Sequence, residues 1–246
     1  MRALKKIVRR RLRVFGFDIV PFPPVDSLAA HLLALFRQLG INCVFDIGAH
    51  VGEYGRFLRE IGYRGHIISF EPIPGNFAVL EKHCARDPKW RGLCLALGSR
   101  DGTMRINVTH ATEFSSFLAP SRLSHEEFAH RSDVERVEEV EVRRLDGIFT
   151  ECLHQIPDPH VYVKMDTQGY DLEVLEGAGA RLSGVLALQS ELSLRPMYLN
   201  MTGGFEALSR LNAMGFEATG LFPVSRSRDL RIIELDCVMR RVGRPA

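Results

Sequence analysis

Residues 44–52 read Val-Phe-Asp-Ile-Gly-Ala-His-Val-Gly, an apolar run that ends in a turn with two glycines four apart. Glycine lets a ligand approach the backbone without meeting a Cβ, and a helix opening near Gly52 would aim its free N–H groups at the same spot. About twenty residues on, Ile67-Ile68-Ser69-Phe70 runs into Glu71-Pro72, and a carboxylate there can accept both hydroxyls of a ribose. His50 stands where a dinucleotide fingerprint needs its middle glycine, which disfavours a pyrophosphate. The combination reads as a nucleoside site without phosphate. Asp46, near the end of the first run, has two readings: a partner for an ammonium group, or an acid that braces the turn.

The elements that must position these residues alternate between strand-like and helix-like segments, the pattern of a parallel sheet with crossover helices. Asp26 or Ser27 caps a helix to about Leu39. Strand 43–47, helix 54–61, strand 66–70, helix 75–84 and strand 93–97 then form a β-α-β-α-β half. Segments 103–108 and 137–142 both alternate in sidedness around a polar stretch of about thirty residues, which predicts two antiparallel strands joined by a long loop. Helix 146–153, strand 161–165, helix 170–176, strand 185–190, helix 205–214 and strands 217–222 and 231–239 complete the second half. Residues 1–25 stand apart as a basic amphipathic appendage. Residues 26–246 read as one domain with an insertion at about 102–143.

On these residues the sequence resembles the class I methyltransferases, through 44–52 and Glu71-Pro72. From 44 to about 194 it is similar, more narrowly, to the FkbM family of O-methyltransferases. Leu97-Gly98, Ser115-Ser116, Val142-Arg-Arg-Leu-Asp146, Lys164-Met-Asp-Thr-Gln-Gly-Tyr-Asp171, Val174-Leu-Glu-Gly177 and Glu191 fall in that family's order. The stretch from Lys164 to Asp171 is the most specific part. The resemblance implies a Rossmann-like α/β fold: a mostly parallel seven-stranded sheet with helices on both faces and the last strand antiparallel, to which the alternating segments 103–108 and 137–142 add an extra β-hairpin insertion. It implies S-adenosyl-L-methionine as cofactor and a hydroxyl of a sugar, glycolipid or secondary metabolite as acceptor. Cofactor contacts are then expected from Asp46, Gly48, Ala49, His50, Gly52, Tyr54, Glu71, Pro72, Leu97 and Gly98. His50 is a departure, since asparagine is commoner there.

Methyl transfer from a sulfonium is an in-line displacement, so the protein must mainly hold the acceptor oxygen behind the methyl carbon and exclude water. An alcohol is a poor nucleophile at neutral pH, which makes a base or an acidifying metal useful. Asp166 ends strand 161–165 and Glu191 ends strand 185–190, so both face the crevice beyond the carboxyl ends of the strands. Asp166 is the preferred general base, against its reading as a turn acid before helix 170–176. Alternatively, the two carboxylates hold Mg²⁺, a cation that favours oxygen ligands. Lys164 shares a face with Asp166, and its three readings are a pair with that acid, a contact to the acceptor, and a structural ion pair. In the long loop His110, Ser115, Ser116, His125 and His130 suit a sugar or polyol. His125 is carried as a catalytic candidate against its reading as a solvated loop residue. Asp146 is expected to cap its helix and Trp90 to serve packing.

Composition narrows the remaining classes. The 246 residues are 46% hydrophobic and 25% charged, as in a globular protein with an ample core. Five cysteines without a Cys-x-x-Cys pair indicate neither a disulfide framework nor a thiolate zinc site, which fits a reducing cytoplasm. Net charge is only +2, and no basic and aromatic platform interrupts the domain, so nucleic acid is not the expected partner. Basic residues instead crowd the start: Arg2, Lys5, Lys6, Arg9, Arg10, Arg11 and Arg13. Leu4, Ile7, Val8, Leu12 and Phe15 fall at helical spacing among them, so this segment either packs on the domain or touches an anionic membrane surface. A non-catalytic S-adenosylmethionine-binding protein, a polyketide or macrolide methyltransferase and an RNA methyltransferase are the competing readings.

Overall fold

The computed structural model describes residues 11–17 and 23–243. Most of the basic appendage, including Arg2, Lys5, Lys6, Arg9 and Arg10, lies outside the described residues. Residues 11–14 form a helical turn that Gly16 ends at φ +80°, and Val14, Phe15 and Phe17 are exposed.

A seven-stranded sheet forms the middle layer. Its strands are β1 (Cys43–Ile47), β2 (His66–Phe70), β3 (Trp90–Leu93), β7 (Val161–Met165), β8 (Val185–Ser193), β9 (Phe216–Arg226) and β10 (Ile232–Arg241), in the order β3-β2-β1-β7-β8-β10-β9. β1 pairs in parallel with β2 and β7, whereas β10 runs antiparallel to both β8 and β9. The central strands β1 and β7 are buried at every position, so they are apolar without alternation except for Asp46 and Lys164, which face each other across the pair. The order reverses beside β1, and ligands of open α/β sheets lodge at such a switch point, beyond the carboxyl ends of the strands.

Helices cover both faces. On one side lie α1 (Leu28–Leu39), α2 (Glu53–Glu60) and α3 (Pro74–Cys84), whose Leu32, Leu58 and Leu80 pack with Val44, Ile67 and Tyr162. On the other lie α5 (Leu145–Leu153), α6 (Asp171–Ala178) and α7 (Gly204–Ala213), whose Phe149, Val174 and Leu211 pack with Phe45, Val163 and Leu188. Ser27 caps α1 by accepting from the Ala30 N–H, and Gly40 ends it in the left-handed region. Asp146 does not cap α5: Arg144 holds the cap position, and Asp146 sits in the first turn paired with the Arg144 guanidinium. A first-turn acid favours the helix N-terminus without serving as its cap.

The expected strand at 93–97 is two short strands in different sheets. Trp90–Leu93 is the edge of the main sheet, while β4 (Ala96–Leu97) joins a second, three-stranded sheet with β5 (Gly102–Thr109) and β6 (Val134–Arg143), in the order β4-β6-β5. Arg91 and Gly92 interrupt the apolar pattern at the true start, so the sequence shows only the end. Between β5 and β6 the insertion carries a 3₁₀ turn, Thr112–Phe114, and a short helix α4 (Arg122–Phe128).

Trp90 is buried under the glycine turn. Cβ atoms built on Gly52 and Gly55 would lie 3.3 Å and 2.1 Å from its ring, and its indole N–H donates to Ser69 Oγ at 3.0 Å. Trp90→Ala therefore removes a large core side chain and a buried hydrogen bond. A loss of about 3–5 kcal/mol is expected, measured by urea unfolding followed by circular dichroism.

Candidate active site

Strand register sets a polar row across the floor of the sheet. Ser69, Asp46, Lys164 and Gln189 occupy paired positions on β2, β1, β7 and β8, and one step further Glu191 pairs with Asp236 of β10. Lys164 is almost fully buried, and its Nζ lies 3.4 Å from Asp46 Oδ1 and 3.4 Å from Asp166 Oδ2. The same ammonium sits 5.1 Å from the centre of the Tyr54 ring. Burial opposes its charge, but the carboxylates of Asp166, Asp46, Asp236 and Glu191 outweigh that and hold its pKa above the ordinary lysine value. Asp46, wholly buried, is pushed up by desolvation against the pull of Lys164. It accepts from Ser69 Oγ at 3.1 Å and lies beneath the cleft floor rather than on its wall.

The glycine turn closes over this row. Gly48 has φ +75°, and a Cβ there would meet the Asp166 carbonyl oxygen at 2.0 Å, so the two strand ends approach as closely as backbone allows. His50 also takes a positive φ of +50°. Its backbone N–H donates to Glu71 Oε2 at 2.9 Å, its Nδ1 faces Glu53 Oε1 at 3.1 Å and its Nε2 faces Thr112 Oγ1 at 2.7 Å. Glu71 Oε1 accepts from the Ile73 N–H and from Asn76 Nδ2. A carboxylate offers about four lone-pair directions. Three are filled here by protein donors, which leaves Oε2 room for one further donor rather than the two expected. Burial pushes the Glu71 carboxyl up to about 7, against these hydrogen bonds.

A cleft of about 710 Å³ opens beside these groups. Gly48, Ala49, His50, Tyr54, Glu71, Pro72, Leu97, Lys164, Asp166 and Glu191 all line it, so ten sequence candidates meet there. Gly52 and Gly98 do not line it. Gly52 packs on Trp90, and Gly98 sits against α6, where a Cβ on Gly177 would lie 1.9 Å from its carbonyl oxygen. His125 also lies outside, bonded with His130 to the carboxylate of Asp133 on the insertion. His110 does not line the cleft either, while Ser115 and Ser116 do.

Several cleft groups carried no assignment from sequence. Gln168, held at φ +53°, donates from Nε2 to Asp166 Oδ1 at 2.8 Å and to Glu191 Oε2 at 2.9 Å. Its segment was conspicuous as a motif, although nothing in it distinguished the glutamine. Asp236 belongs to a strand that looked like ordinary core, and burial raises its carboxyl to about 6. Glu191 is pushed well above the usual carboxylate range, first by burial and then by Asp166, Glu234, Asp236 and Asp171. Asp171 braces the loop after β7, accepting from the Thr167 N–H and hydroxyl and from Ser190 Oγ.

The residues fit a nucleoside that carries a positive charge. Phe70, Ile73, Leu97, Ile106 and Phe117 supply an apolar wall, and Glu71 offers its remaining acceptor at the rim. The ionisable lining is mainly acidic, with Lys164 the principal cation. A metal between Asp166 and Glu191 fits poorly, because the Gln168 amide already aims its N–H donors at both. Among the described residues no group of three or more His, Cys, Asp or Glu side chains is arranged to hold a metal ion.

Comparison with known proteins matches this architecture to a family. The model of the methyltransferase FkbM domain matches residues 46–217. The chain belongs to the FkbM methyltransferase family. A curated relative, methyltransferase sdnD of Sordaria araneosa, is 26% identical over 153 residues, which cover 54% of this chain and 59% of that protein. The FkbM-family chain thus spans less than two thirds of the length of the curated relative it matches. Among solved structures, methyltransferase FkbM from Methylobacillus flagellatus KT superposes with a TM-score of 0.48 at 17% identity, covering 80% of this chain and 43% of that one. Magnesium protoporphyrin IX methyltransferase from Synechocystis PCC 6803, solved with bound SAM, gives a TM-score of 0.48 at 13% identity, with 96% of each chain covered.

Lys164 is the member of the row whose removal isolates a buried charge. Lys164→Met is expected to destabilise the fold by about 3–5 kcal/mol, and Asp46→Asn in the same chain to recover most of that loss. Urea unfolding of the two single variants and the double variant gives the coupling.

Proposed function

We propose that the chain is an S-adenosylmethionine-dependent O-methyltransferase whose acceptor is a hydroxyl of a sugar, glycolipid or other secondary metabolite. The observation that carries this reading is a single cleft with Glu71 on one wall and Asp166, Lys164 and Glu191 on the other, at the switch point of the sheet. Its volume falls in the range of about 300–1,000 Å³ usual for small-molecule sites. When bound, S-adenosylmethionine supplies an electrophilic methyl carbon on a sulfonium.

In this reading Glu71 accepts from one ribose hydroxyl, and the N-terminus of α2 and the turn at Gly48 shape the floor beneath the ligand. The acidic lining favours the sulfonium and the ammonium by charge. Asp166 takes the proton of the acceptor hydroxyl as that oxygen attacks; it is partly exposed, as a group that meets an incoming substrate must be. Lys164, 3.4 Å from Asp166 Oδ2, stabilises the carboxylate before the proton arrives. Phe117 and Ser116 of the insertion form the wall nearest the expected acceptor and exclude water. The glycolipid option is supported by Val14, Phe15 and Phe17, which are exposed close to Arg11 and Arg13 and suit peripheral contact with an anionic membrane face. No described helix is long and apolar enough to cross a membrane.

Incubation with methyl-labelled S-adenosylmethionine and extracts of glycolipids and small metabolites, followed by mass spectrometry, tests the proposal. A labelled methyl on a hydroxyl is the expected result; label on nitrogen or carbon alone would exclude O-methylation. Asp166→Asn should lower turnover by about 10²–10⁴-fold while cofactor affinity measured by calorimetry stays within a few-fold.

The Glu71 carboxyl, raised to about 7, makes cofactor binding pH-dependent. Its charged form accepts the ribose hydroxyl, so affinity should hold above pH 7 and weaken as pH falls through that value, toward a limit of about tenfold per pH unit. Glu71→Gln should bind more weakly and lose this dependence. Calorimetry at pH 6 and pH 8 separates the two.

A further inference from the structure

Gln168 lies between two carboxyl groups that would otherwise repel each other. Its amide has two N–H bonds, and each is spent on a different acid: Asp166 Oδ1 at 2.8 Å and Glu191 Oε2 at 2.9 Å. Its carbonyl Oε1 lies 2.6 Å from the hydroxyl of Tyr198, a buried side chain in the segment between β8 and α7. The Tyr198 hydroxyl is also 2.9 Å from the Phe114 carbonyl, in the 3₁₀ turn of the insertion. The two carboxyl acceptors set the amide's orientation, and the single hydroxyl hydrogen of Tyr198 faces both the Gln168 and Phe114 carbonyls. Turned over, it would present its oxygen to two carboxyl groups and its N–H bonds to the phenol.

The backbone of Gln168 is fixed as well. Its carbonyl accepts from Ser116 Oγ at 2.8 Å, and Asp171 anchors the preceding Thr167 through both its N–H and its hydroxyl. A left-handed non-glycine residue is uncommon and persists only where its surroundings over-determine it. Here the over-determination delivers one amide to the midpoint of a carboxyl pair.

We infer that Gln168 is a positioning residue of this cleft: its amide, backed by Tyr198, clamps the Asp166 and Glu191 carboxyls together and leaves one oxygen of each for the acceptor. The assignment deepens the proposed O-methylation and rests on it. Other ionisable groups face the pair from every side. Lys164 approaches Asp166 from β7, with Asp46 behind it on β1; Glu234 and Asp236 approach Glu191 from β10, and Asp171 from α6. With so many acids converging and burial around it, Glu191 is held well above the usual carboxylate range, and a donor aimed at its oxygen works against that rise. Loss of that donor must favour the protonated form.

Titration of the Glu191 carboxyl, followed by carbon NMR in protein labelled at glutamate carboxyls and assigned with Glu191→Gln, tests this in the absence of cofactor. Gln168→Met keeps the side-chain length and removes the donors, and Tyr198→Phe removes only the phenol hydroxyl. The Glu191 midpoint should rise by roughly one pH unit in Gln168→Met and by less in Tyr198→Phe. The acid limb of the methyl-transfer profile should move the same way, with cofactor Kd unchanged. A Glu191 midpoint that stays at its wild-type position in both variants, even with turnover lost uniformly across pH, would reduce Gln168 to packing and overturn the assignment. Because the titration needs no turnover, failure of the wild-type chain to transfer methyl groups would remove the proposed activity while the clamp is still decided.

Discussion

A buried ammonium holds the two halves of this sheet to one purpose. Lys164 on β7 lies between Asp46 on β1 and Asp166 just past its own strand end, 3.4 Å from each. An ion pair removed from water recovers its desolvation cost only when the opposite charge is close and the remaining polar atoms are satisfied. The neighbouring strands meet that condition in part: Ser69 donates to Asp46 Oδ2, Trp90 donates to Ser69 and the Tyr54 ring flanks the ammonium, while Asp46 Oδ1 has only the Lys164 charge at 3.4 Å. The chain of contacts runs from the edge strand to the acid nearest the expected acceptor. Disturbance anywhere along it reaches Asp166.

The backbone around this row is as constrained as its charges. A side chain on Gly48 would occupy the space of the Asp166 carbonyl, so the turn after β1 and the turn after β7 are one packed unit. His50 extends that unit outward, joining Glu71 through its N–H and Thr112 through its ring. Nδ1 faces a carboxylate, which only accepts, and the Thr112 hydroxyl gives its proton to Asn76 Oδ1. The ring thus bridges Glu53 of α2 and Thr112 on the insertion. An asparagine, commoner at this position in the family the sequence resembles, could not make the same two outward contacts.

How much of this was legible in the sequence follows from the kind of signal each residue carries. The turn at 48–52, Glu71 and Asp166 were legible because strand ends in a parallel sheet all open on one rim, and residue type at a rim has chemical meaning. The seven strands and the antiparallel last strand came through the family resemblance, and the antiparallel insertion through its alternating pattern; the order of the strands comes from the structure alone. The split of 90–97 between two sheets was hidden, because the leaving point is set by the pairing of Ala96 with Val142, forty-six positions away. Tyr198 and Gln168 were silent for a related reason: an amide and a phenol carry little chemistry alone and acquire it from what the fold puts beside them. His125 illustrates the converse. Its residue type suggested chemistry, but its partner is Asp133 on the same insertion, outside the cleft.

The insertion is the element that joins the Glu71 side of the cleft to the Asp166 side. Thr112 reaches Asn76 and His50 on the side of Glu71, while the Phe114 carbonyl and Ser116 reach Tyr198 and Gln168 on the side of Asp166. Five consecutive residues, 112–116, thus reach both halves, over a core made by Ile73, Ile106, Val108 and Val140. Hydrogen bonds at both ends of so short a span leave it little freedom to move with respect to one wall alone. Displacement of the 3₁₀ turn would release the His50 ring and the Tyr198 phenol together, and with the phenol the amide that spaces the two acids. The two sides of the cleft are in this way joined through side chains whose only shared feature is that they hydrogen-bond to the same turn.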